Sequence, residues 1–182
     1  MRGTVAVTAV AGIRGGYSSY RVTVVSTASW VFLVYQLPRE PSTPRITVWR
    51  KLKRLGVAQL ADGLVALPYD AATKEHLEWV AHDVTEAGGE ATLWITTPTL
   101  KRFGRHLAEL LSEQRADEYR DISREAASAL DEPSPERNRI LRRLRGEYRR
   151  IERRDHFPPP EKAGARRAIE RLVVSLEPET IS

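Results

Sequence analysis

The chain has 182 residues, of which 41% are hydrophobic and 29% charged, so we expect one ordinary domain with an appendage and neither a disordered protein nor a large multidomain enzyme. It contains no cysteine, which excludes disulfides, thiolate zinc sites and cysteine nucleophiles and fits a cytoplasmic protein. No apolar run approaches the roughly 18 residues that cross a bilayer, and the net charge of +5 at pH 7 indicates an anionic partner.

Residues 1–29 are rich in Ala, Gly, Ser, Thr and Val. A secretory signal needs a continuous apolar stretch, and here Gly12, Arg14, Gly15 and Gly16 interrupt it. We therefore predict a disordered leader, or residues upstream of the true start.

The first predicted elements are a strand and a helix. Residues 30–35 form a short run of β-branched and aromatic residues that is typical of a buried strand. Ser42 can cap a helix that runs through residues 45–55 and ends at Gly56, where a left-handed cap is easiest. Its apolar residues share one face, so we expect all of them, including the tryptophan, in the core: Val48, Trp49, Leu52 and Leu55.

A hairpin, a helix and a strand follow. Asp62-Gly63 between the apolar runs 57–60 and 64–67 is a strong hairpin signal, residues 71–87 have helical periodicity, and residues 90–96 are strand-like. The order strand, helix, strand, strand, helix, strand predicts an α+β, ferredoxin-like βαββαβ domain over residues 30–97. Its sheet is antiparallel and carries both helices on one face.

Residues 98–177 are predicted to form a helical C-terminal arm, followed by a tail at 178–182. Residues 100–130 read as one long helix or two, and Ser134-Pro135 starts a helix that continues to Arg154. Three prolines at 158–160 precede a last helix that ends near residue 176.

The arm contains a concentrated positive charge. Residues 137–154 hold nine arginines and only two acids, Glu147 and Glu152. In one interpretation, these arginines form a solvated helix face and pair with the acidic residues of the preceding helix in a helical hairpin. In the other, the guanidinium groups bind the phosphates of a nucleic acid. The first helix and the loop before it carry a second basic set, which is either the solvated outer face of a helix packed on the sheet or a further phosphate contact. The candidate nucleic-acid-binding residues are Arg39, Arg45, Arg50, Lys51, Lys53, Arg54, Arg142, Arg143, Arg149 and Arg150.

No pattern predicts catalysis, a metal site or a cofactor. The four histidines lack paired-ligand spacing, no glycine-rich segment has the frame of a phosphate loop, and no serine lies in a Gly-x-Ser-x-Gly elbow. We therefore expect a protein that is not an enzyme.

The chain resembles the N-terminal domain of the ChrB chromate-resistance regulators over about residues 30–172. The most specific block is WRKLKRLG at residues 49–56, and Gly88-Gly89-Glu90-Ala91 and Arg154-Asp155-His156-Phe157 stand in the family's order. The resemblance implies transcriptional control of chromate efflux genes, with DNA bound by this region and chromate as the inducing signal. Complete regulators of the family continue into a second domain, so we expect that half to be separately encoded or this form to have a different task.

Three hypotheses follow. The first is a DNA-binding regulator of chromate resistance. The second is an interaction or oxyanion-sensing module that pairs with a second copy or with a separately encoded ChrB C-terminal domain. The third is a metal-dependent nuclease, because the plan is distantly similar to PaaX-type repressors and to the small ferredoxin-like nucleases of CRISPR adaptation. Those nucleases place an aspartate where this chain has Gln36, and an amide is a poor ligand for a hard divalent ion.

Overall fold

A four-stranded antiparallel sheet forms the first half of the protein, and the computed structural model describes residues 29–176. The strands lie in the order β2-β3-β1-β4, and two helices connect them as the sequence predicts. The α+β class and the βαββαβ order are therefore confirmed. The elements are β1 (Trp30–Gln36), α1 (Ser42–Leu55), β2 (Ala58–Ala61), β3 (Leu64–Pro68), α2 (Ala71–Glu86) and β4 (Glu90–Thr96).

Both α1 and α2 pack on one face of the sheet. Alternate residues of a strand point to the same face, and Val31, Leu33, Val65 and Leu67 all point towards these helices. The helices contribute the buried residues Val48, Leu52, Leu77, Val80 and Val84 to the same core.

The opposite face of the sheet is covered in part by the arm. The helix α3 (Lys101–Ser128) places Leu107 and Leu111 against Trp30 and Ala66. The arm thus begins as a third layer on the sheet and then extends past it.

The arm consists of three helices and a short turn. The segment predicted as one long helix or two is one long helix, α3, followed by a 3₁₀ turn at Ala129–Asp131. The helices α4 (Ser134–Glu152) and α5 (Glu161–Val174) then pack on α3 around a second core. The largest buried side chains of this core are Tyr119, Ile122, Leu141, Leu144, Ile151, Ile169 and Leu172.

Two details of the α1 prediction were wrong. Ser42 is the first helical residue and not the cap, because Pro41 occupies the cap position without a side-chain hydrogen bond. Trp49 is 51% exposed, because a helix turns about 100° per residue and Trp49 lies off the face that Val48 and Leu52 bury. Lys53 Nζ lies 5.0 Å from the centroid of its ring.

Two further predictions concern membrane-spanning helices and the two ends of the chain. No helix within residues 29–176 is long and apolar enough to cross a membrane. Nearly all of the predicted leader and the tail at 178–182 lie outside the described residues.

The hairpin glycine gives the first testable prediction. Gly63 has φ +73°, and a Cβ there would lie 2.2 Å from the Tyr35 carbonyl oxygen. Gly88 has a similar φ of +75°, but a Cβ there would meet nothing within 4 Å. We expect Gly88→Ala to lower the free energy of unfolding by about 1–2 kcal/mol, the cost of a left-handed alanine, and Gly63→Ala to lower it by more. Urea unfolding of both variants checks this, and equal losses would contradict the close approach at Gly63.

Candidate nucleic-acid interface

The eight arginines of residues 139–154, in α4 and just after it, fall into two groups. One face is buried through Leu141, Leu144 and Ile151, with Ile140 and Tyr148 packed beside them. The arginines occupy the remaining surface, where packing against α3 determines which of them meet a carboxylate.

The first group is paired. Arg143 forms a salt bridge with Glu125 of α3, and Arg154, just past the end of α4, lies 3.0 Å from Glu118 Oε1. Two more arginines pair within α4: Arg139 with Glu136 at 2.6 Å, and Arg150 with Glu147 at 3.7 Å. The hairpin interpretation is therefore correct for Arg143 and Arg154, whereas Arg139 and Arg150 pair within their own helix.

The second group is exposed and forms no salt bridge with any carboxylate of residues 29–176. Its members recur every three or four residues, so they line one face of the helix. We call Arg142, Arg145, Arg149 and Arg153 the α4 arginine stripe. Guanidinium forks in such a row match the oxygens of successive phosphates.

A shallow groove between α4 and α5 borders the stripe. Arg145 and Arg149 line it from α4, and Arg166 lines it from α5. Its apolar part comes from Tyr148, Ile169 and Val173. Arg166 Nε donates to Glu170 Oε1 at 2.8 Å, so the two α4 arginines carry the uncompensated charge among the described groove residues.

The basic set of α1 is also only partly available. Lys51 forms a salt bridge with Asp83 of α2, and Arg45 Nη2 donates to the Pro38 carbonyl oxygen at 2.9 Å. The side chains of Arg39, Arg50 and Arg54 are exposed and form no salt bridge with a described carboxylate, and Lys53 lies over Trp49.

The ten predicted residues do not meet in one site. The helix α1 packs on α2 and the sheet, whereas α4 packs on α3 and α5. Of the four arm residues predicted, Arg142 and Arg149 belong to the stripe, while Arg143 and Arg150 are paired with glutamates. The structure adds Arg145 and Arg153, which the spacing of three or four residues could have identified.

A buried arginine joins the arm to the sheet domain. Arg115 is 3% exposed, its Nη1 donates to the Gly56 carbonyl oxygen at 3.4 Å, and its Nε lies 3.2 Å from Glu118 Oε2. Burial lowers the pKa of Arg115, and Glu118 opposes that shift. The sequence analysis missed this residue, although it stands between Leu111 and Tyr119 at an apolar position of the helical repeat, which is an unusual place for an arginine.

The segment that follows α4 completes this junction. The Tyr119 hydroxyl donates to Asp155 Oδ2 at 3.0 Å, and Phe157 stacks on Trp30 with ring centroids 5.9 Å apart. His156 is half-buried, and burial lowers its pKa. Phe157 thus joins the arm to the sheet, whereas the Tyr119–Asp155 hydrogen bond joins two parts of the arm.

The nuclease hypothesis depended on the end of β1. Gln36 lies there, opposite Glu90 of β4 in the sheet register. Across residues 29–176, no three His, Cys, Asp or Glu side chains come together in a way that could hold a metal ion.

Comparison with known proteins finds a family match from α1 to the end of α3. Residues 45–134 match the family model described as protein ChrB, N-terminal. A protein named Protein ChrB from Cupriavidus metallidurans is 30% identical over 129 residues, which are 69% of this chain and 36% of that protein. The chain therefore spans little more than a third of this relative. No solved structure matches.

The Tyr119 hydrogen bond predicts a pH dependence. Burial, and then Asp155, raises the pKa of Tyr119 above its ordinary value of 10.0. The folded state therefore holds this proton more tightly than the unfolded state. The stabilisation is complete below about pH 10 and is lost as the pH rises towards the folded pKa. We expect Tyr119→Phe to be less stable than the parent by about 1 kcal/mol at pH 7, and this difference to shrink above pH 10. Urea unfolding at pH 7 and pH 11 measures it, and a constant difference would contradict the assignment.

Proposed function

The chain belongs to the ChrB N-terminal family, and on that premise we propose that it is a DNA-binding regulatory component of chromate resistance whose main phosphate contact is the α4 arginine stripe. The observation that carries this proposal is the division of α4, in which four exposed arginines on one face have no acidic partner among the described residues. A row of unpaired cations on a rigid helix is what a polyanion binds.

The stripe fits the backbone of DNA better than the edges of its bases. Its arginines lie three or four residues apart along one side of a regular helix, where they can contact successive phosphates. Reading the bases would instead require side chains that enter a groove of the DNA. Affinity from such a row is electrostatic and falls steeply with salt. Recognition of a particular operator then requires a second contact, for which the exposed Arg39, Arg50 and Arg54 beside α1 are the candidates.

Two variants of equal net charge test the stripe. Arg142→Gln/Arg149→Gln removes two unpaired arginines, and Arg143→Gln/Arg150→Gln removes two that already pair with glutamates. In mobility shifts over a salt series with the chain's own promoter, we expect the first pair to weaken binding. It should also reduce the slope of log affinity against log salt by roughly 1.8, since each lost phosphate contact removes about 0.9. The second pair should change the slope much less.

Three outcomes would contradict this assignment. Equal effects of the two variants would mean that only net charge matters, and the absence of any salt-sensitive complex would remove DNA binding altogether. A larger loss in Arg50→Gln/Arg54→Gln would move the main contact to α1. Circular dichroism of each variant shows whether the fold is retained.

A second candidate function is oxyanion sensing together with a separately encoded domain. The groove between α4 and α5 favours it, because Arg145 and Arg149 flank an apolar surface that holds Tyr148. A tetrahedral dianion such as chromate fits the same guanidinium forks as a phosphate. Calorimetric titration with chromate should show binding that Arg145→Gln/Arg149→Gln abolishes and Arg139→Gln/Arg143→Gln retains. No heat beyond dilution would end this candidate.

A further inference from the structure

The outer edge of β4 is open among the described residues. β4 pairs with β1 on one side, and no strand of residues 29–176 pairs with its other side. An unpaired strand edge presents a row of backbone N–H and C=O groups to any chain that can complete the ladder.

The other edge of the sheet is built differently. β2 has four residues, and its register with β3 is broken between Gln59 and Ala61. Short edges and bulges are the usual devices that stop one sheet from joining another. β4 has neither device, because its register with β1 is continuous over seven residue pairs. Residues 91–97 also contain no charged residue and no proline.

Apolar side chains stand on both faces beside this edge. Trp94 is 60% exposed and Ile95 is 49% exposed, and they point to opposite faces of the sheet because they are neighbours in one strand. Val34, next to β4 in the sheet and on the same face as Trp94, is 45% exposed. Trp94 and Val34 are diagonal neighbours on that face, and exposed apolar neighbours of this kind favour an interaction site.

The charge pattern disfavours a polyanion here and, for two copies of β4, favours an antiparallel pairing. Neither β1 nor β4 contains a lysine or an arginine, so the phosphates of a nucleic acid would meet no cation on these strands. Glu90, at one end of β4, is the strand's single charge. If two copies of β4 pair antiparallel about Leu93, Glu90 faces Thr96 of the second copy, and Trp94 faces Thr92. A parallel pairing in register would instead place the two Glu90 side chains side by side, which is unfavourable.

We propose that two copies of this chain pair through the open edges of β4 and form one continuous eight-stranded antiparallel sheet about a two-fold axis at Leu93. The pairing completes the backbone ladder of both strands and covers Trp94 on one face. A two-fold interface uses the same surface on both copies, and a strand edge meets this requirement by its own geometry. The proposal does not depend on nucleic-acid binding, although the dimer carries two α4 arginine stripes.

Light scattering of the full chain over a concentration series tests the pairing. We expect a mass of twice the 20.6 kDa of one chain at micromolar concentration. Trp94→Glu should shift the protein to the monomer, whereas Trp79→Glu, which changes a 63% exposed tryptophan on α2, should leave the dimer intact. A monomer at every concentration overturns the proposal, and so does a Trp94→Glu variant that dimerises like the parent.

The register is tested at one exposed position with two opposite charges. In the antiparallel pairing, Thr96 faces Glu90 of the second copy, so Thr96→Glu should raise the dimer dissociation constant and Thr96→Lys should preserve or lower it. Both variants alter the same exposed site, and thermal unfolding confirms that they fold equally well. Equal dissociation constants, or the reverse order, overturn the antiparallel pairing about Leu93.

Discussion

The burial of one guanidinium group fixes the relation between the sheet domain and the arm. Arg115 comes from α3, and it reaches the carbonyl group of Gly56 at the end of α1 and the carboxylate of Glu118. A buried charge is costly unless it is paired and hydrogen-bonded, so the elements that supply its partners are held in place around it. Gly56 is part of this arrangement, because a Cβ there would lie 2.2 Å from Arg115 Nη1. The end of α1 and the middle of α3 therefore meet at this guanidinium group.

This junction also decides which arginines are available for binding. Glu118 lies between Arg115 and Arg154, so the end of the arginine run is tied to the junction. About two turns earlier, in α4, Glu147 pairs with Arg143 and Arg150, and Glu125 of α3 pairs with Arg143 as well. Glu125 and Glu147 lie between α3 and α4, and the stripe lies on another side of α4. Helix packing thus converts nearly uniform positive charge in the sequence into one neutralised face and one basic face.

Local signals account for the parts of the fold that the sequence predicted. Gly56 follows the end of α1, Gly63 lies in the turn between β2 and β3, and Gly88 follows the end of α2. All three have a positive φ that suits few other residues, and the sequence predicted these boundaries to within one residue. The position of Trp49 was wrong, because periodicity shows which residues can share a face and only packing shows how wide the buried face is. Separating Arg142 from Arg143 was beyond the sequence for a related reason. Arg143 meets Glu125 across 18 residues of chain, and Arg154 meets Glu118 across 36, so each pairing depends on the relative position of two helices.

The family match and the arginine stripe are separate lines of argument. The match covers residues 45–134, which contain most of α1, three of the four strands, α2 and α3. α4 begins at Ser134, so the stripe lies wholly beyond the matched segment. The motif residues 154–157 lie beyond it as well, and they serve the junction: Arg154 pairs with Glu118, Asp155 accepts from Tyr119, and Phe157 stacks on Trp30. These residues therefore stabilise the base of the arm and, through Phe157, its contact with the sheet. The phosphate contact has to be argued from the exposure and pairing of each arginine, since a motif that builds the junction carries no information about what the exposed face of α4 binds.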